Sequence, residues 1–166
     1  TYIFNPDGTM EDGRVILGYN TKSDMKGGAI SKALAAGTYY FNENDGSVKG
    51  QMVTGKTTVT KDGEDYYYYF DSKTGCAITN VVKDGVVYGP NGERIDAEDG
   101  NSNAIVTLDE AVAYSKAANG VIPAGSEVIV SSTGKLRTSG TVKVDGVKYK
   151  VNTNKNGKWG VDVVED

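Results

Sequence analysis

The sequence predicts an all-β protein, a solenoid of stacked β-hairpins with one inserted α-helix at about residues 106–119. The first of three observations is composition: 166 residues include 22 glycines and 11 tyrosines but 3 prolines. Such a composition is typical of many short strands joined by turns with positive φ. The second observation is a segment that recurs along the chain, and the third is one stretch that combines the signals of a helix start and a helix end.

The recurring segment consists of an aromatic or β-branched strand, a polar turn that contains glycine, and a short return strand. Six copies begin at Tyr2, Tyr39, Tyr68, Val86, Val128 and Tyr149. Asp-Gly pairs at 62–63, 84–85 and 145–146 are further hairpin turns, which join copies to one another. A single hairpin cannot bury its own apolar face, so we expect the copies to stack.

One copy lies in the stretch GEDYYYYFDSKTG, which places consecutive aromatic rings in one predicted strand. Because strand side chains alternate between faces, the rings divide into two sets. Tyr66, Tyr68 and Phe70 share one face. Tyr67 and Tyr69 share the other. We expect Tyr68 and Phe70 to pack the stack of hairpins, although alternation alone does not tell which face points inward.

The predicted helix lies in the stretch VTLDEAVAYSKAANGVIP, which begins at Val106. Thr107 and Glu110 form a capping box at its start, and Gly120 with the later Pro123 ends it. The residues that would share its apolar stripe are Leu108, Ala111, Val112, Tyr114 and Ala118.

Two further segments lack the repeat pattern. Residues 22–37 are expected to form a loop with one or two helical turns. The acidic stretch DAEDGNSN at 96–103 predicts a loop or linker. It would divide the chain into residues 1–99, with the N-terminal hairpin repeats, and residues 100–166, with the helix and the C-terminal repeats.

The residue types that are missing argue against an enzyme. The chain has no histidine, which removes Ser-His and Cys-His nucleophiles and the commonest metal ligand. A single cysteine, Cys76, forms neither an internal disulfide framework nor a thiolate cluster for zinc. The carboxylates of the 96–103 stretch do not match the spacing of a calcium loop. We therefore expect no catalytic residues, no metal and no cofactor.

Charge and hydropathy exclude two further classes of partner. The net charge is -4 with scattered lysines and arginines, so no concentrated positive field is available for nucleic acid. No apolar run approaches the length of about 18 residues that a membrane span needs. The first residues, TYIFNPDG, lack the regions of a signal peptide, and we expect the chain to be a fragment of a longer protein.

The segments YYFNENDGSVKG and YYFDSKTGCAIT resemble the cell-wall-binding repeats, of choline-binding or glucan-binding type, of Gram-positive surface proteins. The resemblance is clearest over residues 1–95 and weaker over 128–160. It implies a β-hairpin solenoid, an extracellular location on the cell wall and no catalytic activity. It also implies a partner among cell-wall polysaccharide, teichoic acid or another glycan, with a protein partner as a further possibility.

The chain departs from this family at the ring positions that bind the ligand. In choline-binding members, tryptophan and tyrosine rings between consecutive hairpins enclose a quaternary ammonium group. Here Arg14, Lys56 and Val81 stand at the tryptophan positions, and Tyr67 keeps a ring at another position of the cage. The competing hypothesis is therefore a structural spacer or a protein-binding adhesin segment without a small ligand.

Five residues are candidates for ligand binding. Tyr66, Tyr67 and Tyr69 offer ring faces for sugar stacking and hydroxyls for hydrogen bonds, and the alternative is that they cover a neighbouring hairpin. Tyr40 stands at the point of its copy that Tyr69 occupies in the next. Trp159, the single tryptophan, is the fifth candidate, with core packing as the alternative.

Overall fold

The structure, a computed structural model, describes residues 3–4, 12–17, 29–30, 34–43, 50–98 and 100–165. These residues form sixteen β-strands and one short 3₁₀ turn at Ala118–Gly120. The described residues contain no helix that could cross a membrane. Most of the loop expected at 22–37 lies outside the described residues. The chain divides into two compact units, Thr1–Ile78 and Thr79–Asp166, while the predicted domain boundary at residue 99 stays a prediction.

Three antiparallel strand pairs build the first unit. Its strands are β1 (Ile3–Phe4), β2 (Gly13–Leu17), β3 (Ala29–Ile30), β4 (Gly37–Phe41), β5 (Gly55–Lys61) and β6 (Glu64–Phe70). β1 pairs with β3, β2 with β4 and β5 with β6. The β5–β6 hairpin turns at Asp62 and Gly63, whose φ angles are 54° and 80°, as a two-residue hairpin turn with positive φ at both positions requires.

Three sheets build the second unit. Its strands are β7 (Val81–Lys83), β8 (Val86–Tyr88), β9 (Asn103–Thr107), β10 (Val112–Ala113), β11 (Val121–Ile122), β12 (Glu127–Ser131), β13 (Leu136–Arg137), β14 (Thr141–Val144), β15 (Val147–Lys155) and β16 (Lys158–Val163). The strand orders are β11-β10-β7-β8, β13-β12-β9 and β14-β15-β16. All pairs in them are antiparallel except β7 with β10.

Four of the six repeat copies share one local geometry, which confirms their predicted hairpin character. In each of the four, a residue at or near the end of the strand pairs with a residue just beyond the turn. These pairs are Phe41 with Met52, Phe70 with Ala77, Tyr88 with Arg94, and Val130 with Leu136. A glycine with positive φ precedes each return residue. The turn of the first copy lies outside the described residues, and the pairings are local ones that do not confirm a solenoid along the whole chain.

Each unit has its own apolar core. Buried residues of the first unit form two clusters, Leu34 with Tyr39 and Phe41, and Val59 with Tyr68, Phe70 and Ala77. In the second unit one cluster contains Val87, Leu108, Val112, Ile122, Val128, Val130 and Trp159. Tyr68 and Phe70 expose 2% and 0% of their surface, so the prediction that they pack the hairpins is confirmed.

The predicted α-helix at residues 106–119 is wrong. The segment holds the end of β9, the short strand β10 and the start of the 3₁₀ turn. Its backbone donors bond to distant partners: the N–H of Leu108 donates to the Ser126 carbonyl at 2.8 Å, and that of Ala113 to the Asn80 carbonyl at 2.8 Å.

Helix propensity is a weak prior, and a helix of this length is marginal in water without a face to pack. Here the two most apolar side chains of the stripe, Leu108 and Val112, are buried from extended backbone instead, with 3% and 1% of their surface exposed. Val112 pairs with Ile122 of β11. Burial in a sheet thus outweighs the capping signals, since β-branched residues such as valine fit strands well.

Candidate functional site

The five predicted site residues fall into two groups. Tyr40, Tyr66, Tyr67 and Tyr69 belong to the first unit, on β4 and β6, and Trp159 belongs to β16 of the second unit. The two groups differ in their surroundings. The tyrosines lie on two faces of adjacent hairpins, whereas the tryptophan borders a cavity.

Tyr40 and Tyr66 lie in the layer between hairpin β2–β4 and hairpin β5–β6. The Tyr40 ring is stacked with Phe70 of the next hairpin, with ring centroids 6.3 Å apart and planes inclined by 19°. Tyr66 packs against the cluster that contains Tyr68 and Phe70. Tyr40 therefore packs on the neighbouring hairpin, and Tyr66 packs on the core of its own hairpin. A role of either residue in ligand binding stays a prediction.

Arg14 of β2 reaches into the same layer. Its guanidinium carbon lies 5.5 Å from the centroid of the Tyr66 ring, and its Nη1 donates a hydrogen bond to the Tyr68 hydroxyl at 2.9 Å. A guanidinium at this distance from a ring centroid gains cation–π attraction. The cation on Tyr66 is therefore supplied by the protein itself, from a position where the resemblance implies a tryptophan.

The hydroxyls of two tyrosines on β4, Tyr39 and Tyr40, act as hydrogen-bond donors. The Tyr40 hydroxyl donates to Glu43 Oε2 at 2.9 Å, and burial, followed by this bond and by the charges of Glu43 and Asp12, raises the pKa of Tyr40 to about 12. The Tyr39 hydroxyl donates to the Ala35 carbonyl at 2.7 Å. Burial, with Cys76 nearby, raises the pKa of Tyr39 to about 12. Both hydroxyls stay protonated near neutral pH.

Tyr67 and Tyr69 share the other face of the β5–β6 hairpin, as alternation predicts. In the register of this hairpin, Tyr67 pairs with Thr58 and Tyr69 with Lys56. Both tyrosines are half-buried and both partners are exposed. This face therefore combines two rings with a hydroxyl and an ammonium group.

Trp159 borders a cavity of about 480 Å³ in the second unit. Its side chain is 7% exposed, and its backbone N–H donates to the buried Ser126 hydroxyl at 3.0 Å. The Tyr114 ring meets the indole edge to face, with centroids 6.1 Å apart and an interplanar angle of 71°. Most of the indole is thus core, as the packing alternative has it, and the half-buried Tyr114 is the more open ring of the pair.

A β-bulge builds the wall opposite Trp159. Between the pairs Asn152–Gly160 and Lys155–Lys158, the β15–β16 register shifts, so Thr153 and Asn154 together stand opposite the single residue Trp159. Bulges re-aim side chains and are common beside functional sites. Both bulge residues line the cavity, and the backbone N–H of Asn154 donates to Asn152 Oδ1 at 3.0 Å.

The remaining lining mixes polar and aliphatic groups. Asn119 and Asn154 contribute amides, Thr138 and Thr153 contribute hydroxyls, and Lys116 contributes an ammonium group; Val121 and Pro123 add aliphatic surface. The volume lies within the range of about 300–1,000 Å³ that small-molecule sites occupy. Rings combined with amides and hydroxyls are suited to a sugar, which presents C–H groups to a ring and hydroxyls to its edge.

Sequence reasoning missed Tyr114, because the helix prediction assigned it to an apolar stripe. Two backbone hydrogen bonds hold Tyr114 at the turn that follows β10. The Tyr114 N–H donates to the Gly120 carbonyl at 2.9 Å, and the Tyr114 carbonyl accepts from the Ala117 N–H at 3.0 Å. The polar run SKAANG that follows the tyrosine, with its Asn-Gly pair, is the signal of a turn that would have placed it at a loop.

The acidic residues near the tyrosine strand have local structural roles. Asp71 Oδ1 accepts the backbone N–H groups of Lys73 and Thr74 at 2.8 and 2.9 Å, and these bonds hold the pKa of Asp71 below its usual value. Asp65 accepts a hydrogen bond from the Thr60 hydroxyl at 2.5 Å. Across the described part of the chain, no group of three or more His, Cys, Asp or Glu residues could hold a metal ion.

Comparisons with known proteins give similarity only at the level of solved structures. No family model and no curated protein matches the sequence. The chain is similar to CbpF in complex with ipratropium, with 18% identity, a TM-score of 0.33, and coverage of 95% of this chain and 63% of that one.

Two further structures are similar to the same extent. For choline binding protein F from Streptococcus pneumoniae, crystal form II, identity is 15%, the TM-score 0.34 and coverage 95% and 61%. For CbpJ from Streptococcus pneumoniae TIGR4, the values are 17%, 0.26, 95% and 62%. The chain spans less than two thirds of the length of each of these proteins. Such TM-scores carry no conclusion about the ligand.

Proposed function

We propose that this chain is a non-catalytic module of the bacterial cell surface that attaches its parent protein to wall polymer or another carbohydrate. The observation that carries the proposal is the cavity beside Trp159, where two aromatic rings meet amide and hydroxyl groups. The resemblance of residues 1–95 to wall-binding repeats supports the same ligand class, and an extracellular, wall-associated location goes with it.

The packing of the cavity is suited to recognition rather than to chemistry. Tyr114 offers a ring that is rigid and partly open, while Trp159 is held by its core contacts and its bond to Ser126. A rigid ring loses little conformational entropy when a ligand binds. The charged group in the lining is the ammonium of Lys116, so the paired carboxylates that glycoside hydrolysis uses are not among the lining residues.

The contacts of the first unit favour a second function for that part, a structural spacer. The return segment after β6 ties its hairpin to the preceding one, since the Ala77 N–H donates to the Thr38 carbonyl at 2.8 Å and the Ile78 N–H to the Tyr69 carbonyl at 2.9 Å. Arg14 supplies the cation on Tyr66. We propose that these hairpins stack as the layers of a solenoid and that they extend the module rather than bind a quaternary ammonium.

Binding to purified cell walls and to a glycan array tests the proposal. We expect Tyr114→Ala to lower affinity about tenfold or more, because loss of one stacking ring costs about 1–3 kcal/mol in comparable stacked contacts. The matched control is the double variant Tyr67→Ala, Tyr69→Ala, which removes two half-buried rings from the other unit and should bind like the unaltered chain. Circular dichroism would verify that both variants are folded.

Other outcomes distinguish the alternatives. Loss of binding in the double variant but not in Tyr114→Ala would move the site to the tyrosine face of the first unit. No binding to any wall preparation or glycan would contradict the proposal and leave the spacer or the protein-binding adhesin segment. Release of soluble sugar from walls incubated with the chain would contradict its non-catalytic part.

A further inference from the structure

We infer that the carbohydrate bound beside Trp159 is an anionic polymer, and that Lys116 is the residue that binds its acidic group. The inference rests on the proposed function and names the ligand class of the same cavity. It depends on the charge of the lining residues, the absence of a protein partner for Lys116 among the described residues, and the charge of the whole chain.

The lining of the cavity carries positive charge, whereas the chain as a whole is acidic. Of the lining residues, Lys116 is charged and the others are neutral, with no carboxylate among them. The chain as a whole has 22 acidic residues against 18 basic ones. Because this lining contains no carboxylate, an anion can bind in the cavity without direct repulsion from the lining residues.

Lys116 has no ion pair and no hydrogen bond within the described part of the chain, and its side chain is exposed. Lys155, on the bulged strand β15, behaves differently: its Nζ donates to Asp162 Oδ1 at 2.7 Å and to the Val161 carbonyl at 2.7 Å. An ammonium group that already has a carboxylate partner gains little from a second anion. Lys116 is thus the lining cation that can form a new charge-assisted hydrogen bond.

The neighbours of Lys116 extend the same chemistry. Asn119 and Asn154 offer amide N–H donors on the same lining, and an amide bonds the oxygens of a phosphate or a carboxylate as well as a sugar hydroxyl. The two aromatic rings contact the sugar itself. The polymer that matches this set is a chain of sugars or polyols that carries phosphate or carboxylate groups.

Lys158 offers a matched control for the Lys116→Gln variant. It precedes Trp159 on β16 but does not line this cavity, and it lines a second cavity of about 330 Å³ together with Glu127 and Lys155. Its side chain is exposed, like that of Lys116. A merely general attraction between lysines and a polyanion would be weakened equally by Lys116→Gln and by Lys158→Gln.

The test is calorimetric titration of the whole chain and both glutamine variants with three polymers: a neutral glucan, a polyol phosphate polymer and a polyuronate. We expect the unaltered chain to prefer the anionic polymers, and Lys116→Gln to lower that affinity about 3- to 10-fold, as for an exposed charge-assisted contact. Lys158→Gln should change it less than about twofold, because an exposed lysine that does not line the cavity acts only through solvent and salt. Affinity should fall as salt rises from about 0.05 to about 0.5 M.

The outcomes separate the inference from the function on which it rests. The inference is overturned if the two lysine variants lose affinity equally, or if the neutral glucan binds as tightly as the charged polymers. Carbohydrate binding itself would still stand in either case. No binding to any of the three polymers or to cell walls overturns both. A preference for the phosphate polymer over the polyuronate, or the reverse, identifies which acidic group the site takes, and either preference supports the inference.

Discussion

At the scale of single residues, Arg14 changes the interpretation of the tyrosine layer. It stands where the resemblance implies a tryptophan, and its guanidinium contacts the Tyr66 ring and donates a hydrogen bond to the Tyr68 hydroxyl. Tyr68 exposes 2% of its surface, and the hydroxyl of a buried tyrosine needs a partner. One side chain thus satisfies a polar group and covers a ring.

We expect Arg14→Ala to lower the free energy of unfolding of the first unit by about 1–2 kcal/mol, because it removes a cation–π contact and a hydrogen bond to a charged donor. A double-mutant cycle with Tyr68→Phe, measured by urea denaturation followed through tyrosine absorbance, isolates the hydrogen bond. Losses that simply add would show that Arg14 and Tyr68 are not coupled.

The raised pKa of Tyr40 leads to a prediction about alkaline pH. Its folded pKa of about 12 exceeds the ordinary value of 10.0, so the folded state favours the protonated hydroxyl. The resulting stabilisation is present below pH 10 and is lost as pH rises toward 12. We expect the free energy of unfolding to fall over this range, and phenolate absorbance to show fewer groups titrating near pH 12 in Tyr40→Phe. Titration curves that do not differ between the two proteins would contradict the assignment.

At the scale of elements, turns follow the sequence more closely than the segments between them. Each predicted Asp-Gly turn has positive φ at both residues, because Asp and Gly tolerate that region of φ at low cost. The 106–119 segment is extended although its local signals predict a helix. Its strand β10 pairs with β11, and this pair buries Val112 and Ile122 in the core of the second unit.

Strand β11 pairs with β10, the strand that lies where the sequence predicts a helix. Its two residues offer a matched pair of substitutions. Ile122 is 1% exposed and Val121 is 40% exposed. We expect Ile122→Ala to lower the free energy of unfolding by about 2–5 kcal/mol and Val121→Ala by less than about 1 kcal/mol. Trp159 fluorescence reports the transition, since this single tryptophan lies in the same cluster. Similar losses in both variants would contradict the alternation of this strand.

At the scale of the whole molecule, we propose a different role for each unit: the first is a structural spacer and the second binds the ligand. The first unit is held by rings that stack within β6 and between β6 and β4. The second unit is held by one larger apolar cluster beside the cavity. A net charge of -4 gives the chain no general attraction for an acidic wall polymer, so recognition of such a polymer has to be local. We propose that the recognition site is the cavity beside Trp159, where the bulge residues lie and where Lys116 has no partner among the described residues.

The sequence by itself determined the all-β class, the hairpin turns and the alternation that buries Tyr68 and Phe70, because each depends on the φ preferences or side-chain directions of a few consecutive residues. Only the tertiary structure decided that residues 106–119 are extended, that Arg14 lies over Tyr66, and that Tyr114 meets Trp159. Each of these features joins residues far apart in the chain. Their free energies come from burial against distant partners, which local propensities of less than about 1 kcal/mol per residue do not override.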